Sequence, residues 1–258
     1  MKKIIYLYIV FGLFIQTSCH TQNQKMSEKT NFPYRVSVTA PREYPIEVHV
    51  GYLSTQQDFI TPVPKAGVED NGWQSEGADA GLGASQIPSF LELSWVSYAE
   101  KKFWKIATPL PADTILAYFR KGYKISWTNV IRSFTEEEKK AGLVQDTYDQ
   151  IVIGVAPGGV VVVWLQGAHH RVEIGRYQAK DTVVDKNKFE PVPDVHETQE
   201  EFYNWNYNHF VPQETQEKIK KGGIPFGLWD EYRKKYNWRF HTAFYNPDKE
   251  KDMLQYLH

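Results

Sequence analysis

Apolar and polar residues alternate at both ends of the first structured stretch. Tyr34, Val36 and Val38 are separated by polar residues, and after a Pro-bounded turn at residues 41–45 the pattern resumes with Ile46, Val48, Val50 and Tyr52. A period of two predicts two antiparallel strands, each with one buried face. Leu91, Leu93 and Trp95 alternate with Glu92 and Ser94, and residues 103–108 follow across the charged connection Ala99-Glu100-Lys101-Lys102, which predicts a hairpin. The densest apolar stretch joins Ile151, Val152, Ile153 and Val155 to the unbroken run 160–165 through Pro157-Gly158-Gly159. Arms apolar on both sides call for cover on both faces, so this hairpin is expected at the centre of the fold. Residues 172–178 continue the meander.

Helical periodicity is confined to fewer places. Pro111 opens a segment in which Ile115, Leu116 and Phe119 share a face and Gly122 stands just past the end. Thr135 with Glu138, and Thr198 with Glu201, have capping-box spacing. Pro225 is expected to start a last helix carrying Trp229, Tyr232 and Tyr236 on one side, with Asn237 at its end. Residues 63–88 hold five glycines and little periodicity, and read as a long surface loop. Together these elements predict an α+β fold: an antiparallel sheet core with a few packed helices, mostly C-terminal.

The N-terminus carries a different message. Lys2 and Lys3 precede an apolar run at 4–15 that is too short to span a bilayer, and Gln16-Thr17-Ser18 leads into Cys19. Cys19 is the one cysteine of the chain, in the position where a lipoprotein signal peptidase cuts. Residues 1–18 are therefore expected to be a signal peptide, Cys19 the lipidated N-terminus, residues 19–33 a flexible tether, and residues 34–258 a single domain. The expected address is a bacterial cell envelope, held to the membrane by lipid on the periplasmic face of the outer membrane.

With the leader removed, 30 basic residues less Lys2 and Lys3 leave 28 against 31 acidic ones, a net charge of −3. That balance does not suit nucleic acid. Gly81-Leu82-Gly83-Ala84-Ser85-Gln86 imitates a dinucleotide fingerprint but ends on Gln, with no strand expected before it. No cofactor is expected. Glu69, Asp70, Glu76 and Asp79 read as a solvated acidic loop, and the pair His169-His170 as an exposed turn without the further ligands a metal site needs. Glu92 is read as facing solvent. Glu100 is a candidate catalytic carboxylate, since acids beside aromatic residues are what sugar-cleaving sites use; the plainer reading has it decorate a hairpin. Trp95, Trp104, Trp205 and Tyr207 are candidate binding aromatics, with packing as the alternative for the stretch F-Y-N-W-N-Y-N-H-F at 202–210.

The run I-V-I-G-V-A-P-G-G-V-V-V-V-W-L-Q-G at 151–167 resembles the hallmark of the DUF2931 family. Tyr44-Pro45-Ile46-Glu47-Val48, W-V-S-Y-A-E-K-K-F-W at 95–104 and L-W-D-E-Y-R-K-K-Y-N-W-R at 228–239 fit the same resemblance in the same order. It implies a predicted lipoprotein of one continuous domain and brings no catalytic residues with it. The expected function is accordingly a non-enzymatic envelope module, of inhibitor or immunity type, that binds an envelope protein or glycan; the alternative is an envelope-polymer hydrolase using Glu100.

Overall fold

The computed structural model describes residues 29–235 apart from 127, 129–132, 169 and 193. The leader, Cys19, most of the tether, His169, Tyr236 and Asn237 lie outside the described residues. Contacts divide the chain into two compact units, 1–224 and 225–258.

Beside a separate two-stranded sheet of β8 (Tyr123–Ser126) and β9 (Leu143–Asp146), the first unit is built on two large sheets. One runs β12-β11-β10-β1-β5 and the other β13-β7-β6-β2-β3, with β4 also paired to β2. The strands of the first sheet are β1 (Asn31–Thr39), β5 (Asp79–Gln86), β10 (Gln150–Ala156), β11 (Val160–Gly167) and β12 (His170–Gln178). Those of the second are β2 (Ile46–Ser54), β3 (Phe59–Pro62), β4 (Val68–Glu69), β6 (Phe90–Ser97), β7 (Lys102–Pro109) and β13 (Lys180–Thr182). Val36, Ile151, Ile153, Val161, Val163 and Leu165 of the first sheet share one buried core with Val48, Leu53, Leu91, Leu93 and Trp95 of the second. Helix α1 (Ala112–Lys121) adds Ile115 and Phe119 to that core. The α+β expectation is met, and the antiparallel hairpins β6–β7 and β10–β11 form where the alternation put them.

Two expectations about the strands are corrected. β1 and β2 do not pair: β1 lies between β5 and β10, parallel to the latter, whereas β2 pairs with β3, β4 and β6 in the other sheet. Val36, Ser37, Val38 and Thr39 are all fully buried, so β1 is an interior strand with both faces covered. Alternation reports a half-buried strand but not its partner. The glycine-rich stretch 63–88 is not one loop, for it contains β4 and the edge strand β5. β5 is held by backbone pairing to β1 and by the Tyr34 hydroxyl, which donates to the Gln86 carbonyl at 2.6 Å. Its small residues carry no periodic signal. At Leu82 and Gly83 the register slips by one residue, and Gly83 takes up φ +81°, a bulge only glycine enters cheaply.

The outer face of the second sheet is covered by aromatic packing. Phe103 of β7 stacks on Phe202 of α4 (Gln199–Phe210) at 6.3 Å and meets Phe189 of α3 (Lys186–Phe189) edge-on at 5.3 Å. The Thr135–Glu138 box opens α2 (Glu136–Ala141) in full. At α4 only half of the box forms: Thr198 accepts from the Glu201 amide, while the Glu201 carboxylate takes the amide of Glu197. Helix α5 (Gln213–Gly222) completes the unit. In the second unit the expected last helix is, among the described residues, a single turn, α6 (Leu228–Glu231), preceded by Gly227 at φ +88°. No helix among the described residues is long and apolar enough to cross a membrane.

Candidate functional site

Glu100 occupies the β6–β7 turn, and both its carboxylate oxygens are committed. Oε2 accepts from the indole N–H of Trp104 at 3.0 Å, and Oε1 accepts from the backbone amide of Gly158 at 3.0 Å. The side chain thus ties the turn of one sheet to the Pro157-Gly158-Gly159 turn of the other. Trp104 is half-buried by this arrangement, with the Lys102 ammonium 5.3 Å from its ring centroid. Trp95 is 1% exposed in the core. Tyr207 is buried beneath the Lys101 ammonium, 4.5 Å from its ring centroid. Of these four aromatics Trp205 alone is classed as exposed, at 48%, stacked on His209 at 4.7 Å. Trp95 and Trp104 are cross-strand partners in the β6–β7 hairpin, and Trp205 and Tyr207 share α4.

Of the acids read as solvated, Glu92 is part-buried and paired, and Glu69 is buried. Glu92 accepts from the Tyr52 hydroxyl at 2.7 Å and from the Lys105 ammonium at 3.0 Å, and these bonds hold its carboxyl below the usual range. Glu69 is 3% exposed, and burial pushes its carboxyl upward against the bonds it receives from Asn71 and the Ala78 amide.

A constellation of polar groups lies on the outer face of the first sheet. Register pairs Arg35 with Gln150, Gln150 with Gln166 and Gln166 with Arg171, a row of four polar residues across β1, β10, β11 and β12. Beyond this row the face turns apolar, with Val152, Val162 and Trp164 buried. The segment 71–78 crosses that face as a strap. Trp73 sits edge-on to Trp164 at 5.2 Å, the Thr39 hydroxyl donates to the Gly72 carbonyl at 2.6 Å, Arg171 donates to the Gln74 carbonyl, and the Gln166 amide donates to Glu76. Gly77 passes so close to β1 that a Cβ there would fall 1.9 Å from the Val38 carbonyl oxygen.

Strap and row enclose a cleft of about 500 Å³ lined by Arg35, Glu76, Asp149, Gln166, His170 and Arg171. A second depression of about 390 Å³, on the β5 side, shares Arg35 and Asp149 with it and adds Tyr34, Asp79 and Gly81. Arg35 Nη1 binds Asp79 at 2.6 Å, while Nη2 stands 4.0 Å from Asp149. Partial desolvation, aided by Asp146 and Glu76, raises the Asp149 carboxyl above its ordinary value, and Arg35 opposes the shift. Burial lowers the Arg171 guanidinium and Glu76 opposes that. His170 stacks on Tyr123 at 4.5 Å and closes one end. Among the described residues no cluster of three or more His, Cys, Asp or Glu could hold a metal ion.

Half of the row could have been found in the sequence, since a turn centred on Gly158 sets Gln150 opposite Gln166. Arg35 could not, because it joins through a parallel pairing that no local pattern announces.

A family model described as a protein of unknown function, DUF2931, matches residues 19–227. No curated protein and no solved structure matches the chain.

Proposed function

Because the chain belongs to the DUF2931 family, we propose its role from the site it displays: a lipid-anchored protein of the bacterial envelope that binds an envelope component in the Arg35–Arg171 cleft and performs no chemistry on it. The observation that carries this reading is the polar row. Three of its members, Arg35, Gln166 and Arg171, line the cleft, with Gln166 fixed by Glu76 and Arg171, while Gln150 is buried beneath them; a preorganised hydrogen-bonding floor serves recognition. The acid considered for hydrolysis, Glu100, instead holds two turns together with both oxygens. The apolar run at 4–15 before Cys19, the chain's one cysteine, supports export and acylation, and several acyl chains on one residue would make the attachment durable.

The test has two arms. Mass spectrometry of the mature N-terminus from native envelopes is expected to show an acylated Cys19. Detergent-solubilised full chain is expected to co-sediment with isolated envelope glycan or to cross-link to an envelope protein, and Gln166→Ala is expected to abolish that. An unmodified N-terminus would remove the anchor; turnover of any envelope polymer that Glu100→Gln abolishes would replace binding by hydrolysis.

A further inference from the structure

Arg35 and Asp149 lie where the two depressions meet, and each lines both. Their facing atoms are 4.0 Å apart, beyond hydrogen-bonding distance, with 43% and 60% of their side chains exposed. The Arg35 amide donates to the Asp149 carbonyl at 2.9 Å, and the Asp149 amide donates to the Gln166 carbonyl at 3.0 Å, so both residues are fixed to the same stretch of sheet. One side of the guanidinium is spent on Asp79, and its other side faces the gap. On the opposite bank Asp149 stands with Glu76 in the cleft lining, two carboxylates that face the two guanidinium groups of Arg35 and Arg171.

Resting on the binding reading above, we propose that the pair binds the head group of an α-amino acid laid across it: its carboxylate on the Arg35 guanidinium, its ammonium on Asp149 and Glu76. The two charged groups of such a zwitterion branch from one carbon, a spacing comparable to the 4.0 Å between the facing atoms of Arg35 and Asp149. Charge-assisted bonds at both ends fix its orientation, and the Gln166 amide beside them offers a polar wall. The remainder of the cleft, of a size usual for small-ligand sites, is left for a side chain. The same head group reaches the site from two sources, a free amino acid or an amino-acid unit with free amine and carboxylate on a larger envelope molecule.

The experiment is calorimetric titration of the detergent-solubilised full chain with the twenty L-amino acids, D-alanine, and the N-acetyl and amide derivatives of whichever binds. Saturable binding by at least one amino acid is expected, weakened about 10- to 100-fold by blocking either charge, the loss that follows from one charge-assisted bond. Asp149→Asn should weaken the free amino acid by a similar factor and leave the N-acetyl derivative unaffected, whereas Trp205→Ala should leave both unchanged. Competition by a soluble envelope fragment bearing the same head group, at lower concentration than the free amino acid, would assign the larger source; the reverse order would assign the free one. The proposal is overturned if no amino acid binds saturably, if blocked and free forms bind alike, or if Trp205→Ala abolishes binding. A cleft that binds envelope glycan or protein but no amino acid would sink this inference alone, leaving the binding reading in place.

Discussion

The carboxylate of Glu100 accepts the backbone amide of Gly158, 58 positions further along the chain, at 3.0 Å. With the indole bond from Trp104 it lets one side chain join the hairpin turns of the two sheets. Removal leaves a part-buried amide and an indole N–H without acceptors. Glu100→Ala is expected to cost about 2–3 kcal/mol, read as a lower urea midpoint at unchanged slope. Glu100→Gln should cost about half as much, because one acceptor survives. A stability equal to wild type in the Ala variant would show that the two bonds contribute nothing net.

Gly77→Ala tests the strap. Its new methyl would fall 1.9 Å from the Val38 carbonyl and 2.9 Å from the Glu69 carboxylate, so residues 71–78 have to lift. The expected outcome is a loss of about 1–3 kcal/mol with faster proteolysis between 71 and 78. Trp73 and Trp164 fluorescence should shift to the red as their edge contact opens. An unchanged digestion pattern would contradict the close approach.

Glu69 gives a pH signature of defined sign. Its folded carboxyl lies above the ordinary 4.5 because burial disfavours the charge. Between 4.5 and that raised value the native state binds more protons than the unfolded chain, so this group's contribution falls as pH rises through the window. Carbon-13 NMR of the Glu69 carboxyl is expected to place its midpoint above 4.5; a midpoint at or below that value would refute the account.

His49 acts in the opposite direction. Its Nδ1 is buried without a partner, its ring lies 5.8 Å from Phe189, and burial followed by Lys65 lowers its pKa from 6.5. The unfolded chain binds the proton first, so stability is full above about 6.5 and declines as pH falls below it. His49→Phe should flatten the stability profile between roughly pH 5 and 7, and a profile as steep as wild type would assign the acid sensitivity elsewhere.

Phe202 and Trp205 lie three residues apart on α4 and should behave in contrast. Phe202 is 1% exposed and touches Phe103, Phe189 and Tyr203. Phe202→Ala is expected to cost about 3–5 kcal/mol; Trp205→Ala, half in solvent, about 1 or less. Equal losses by thermal unfolding would show that the exposed indole is part of the packing after all.

How much of this was legible in the sequence depends on how local each cause is. The β10–β11 hairpin follows from an unbroken apolar run and three turn residues, and α1 from a proline, an apolar stripe and Gly122, all within a few positions. β5 escaped because Asp79-Ala80-Gly81-Leu82-Gly83 owes its extension to pairing with β1 and not to its own side chains. The committed state of Glu100 escaped for the same reason, its partner Gly158 being distant in sequence. The cleft was hidden most deeply: Arg35 and Asp149 are 114 positions apart and meet only because β1 and β10 run parallel.

That parallel pairing also decides how the molecule bears load. β1 is the first strand among the described residues and lies between two neighbours, so a pull on its N-terminal end acts along the strand and strains the bonds to β5 and β10 together, where an edge hairpin would unzip one bond at a time. Forced rupture depends on the unfolding rate, which such a shear geometry keeps low. If the chain hangs from Cys19, the envelope tugs along the direction in which the sheet is mechanically strongest.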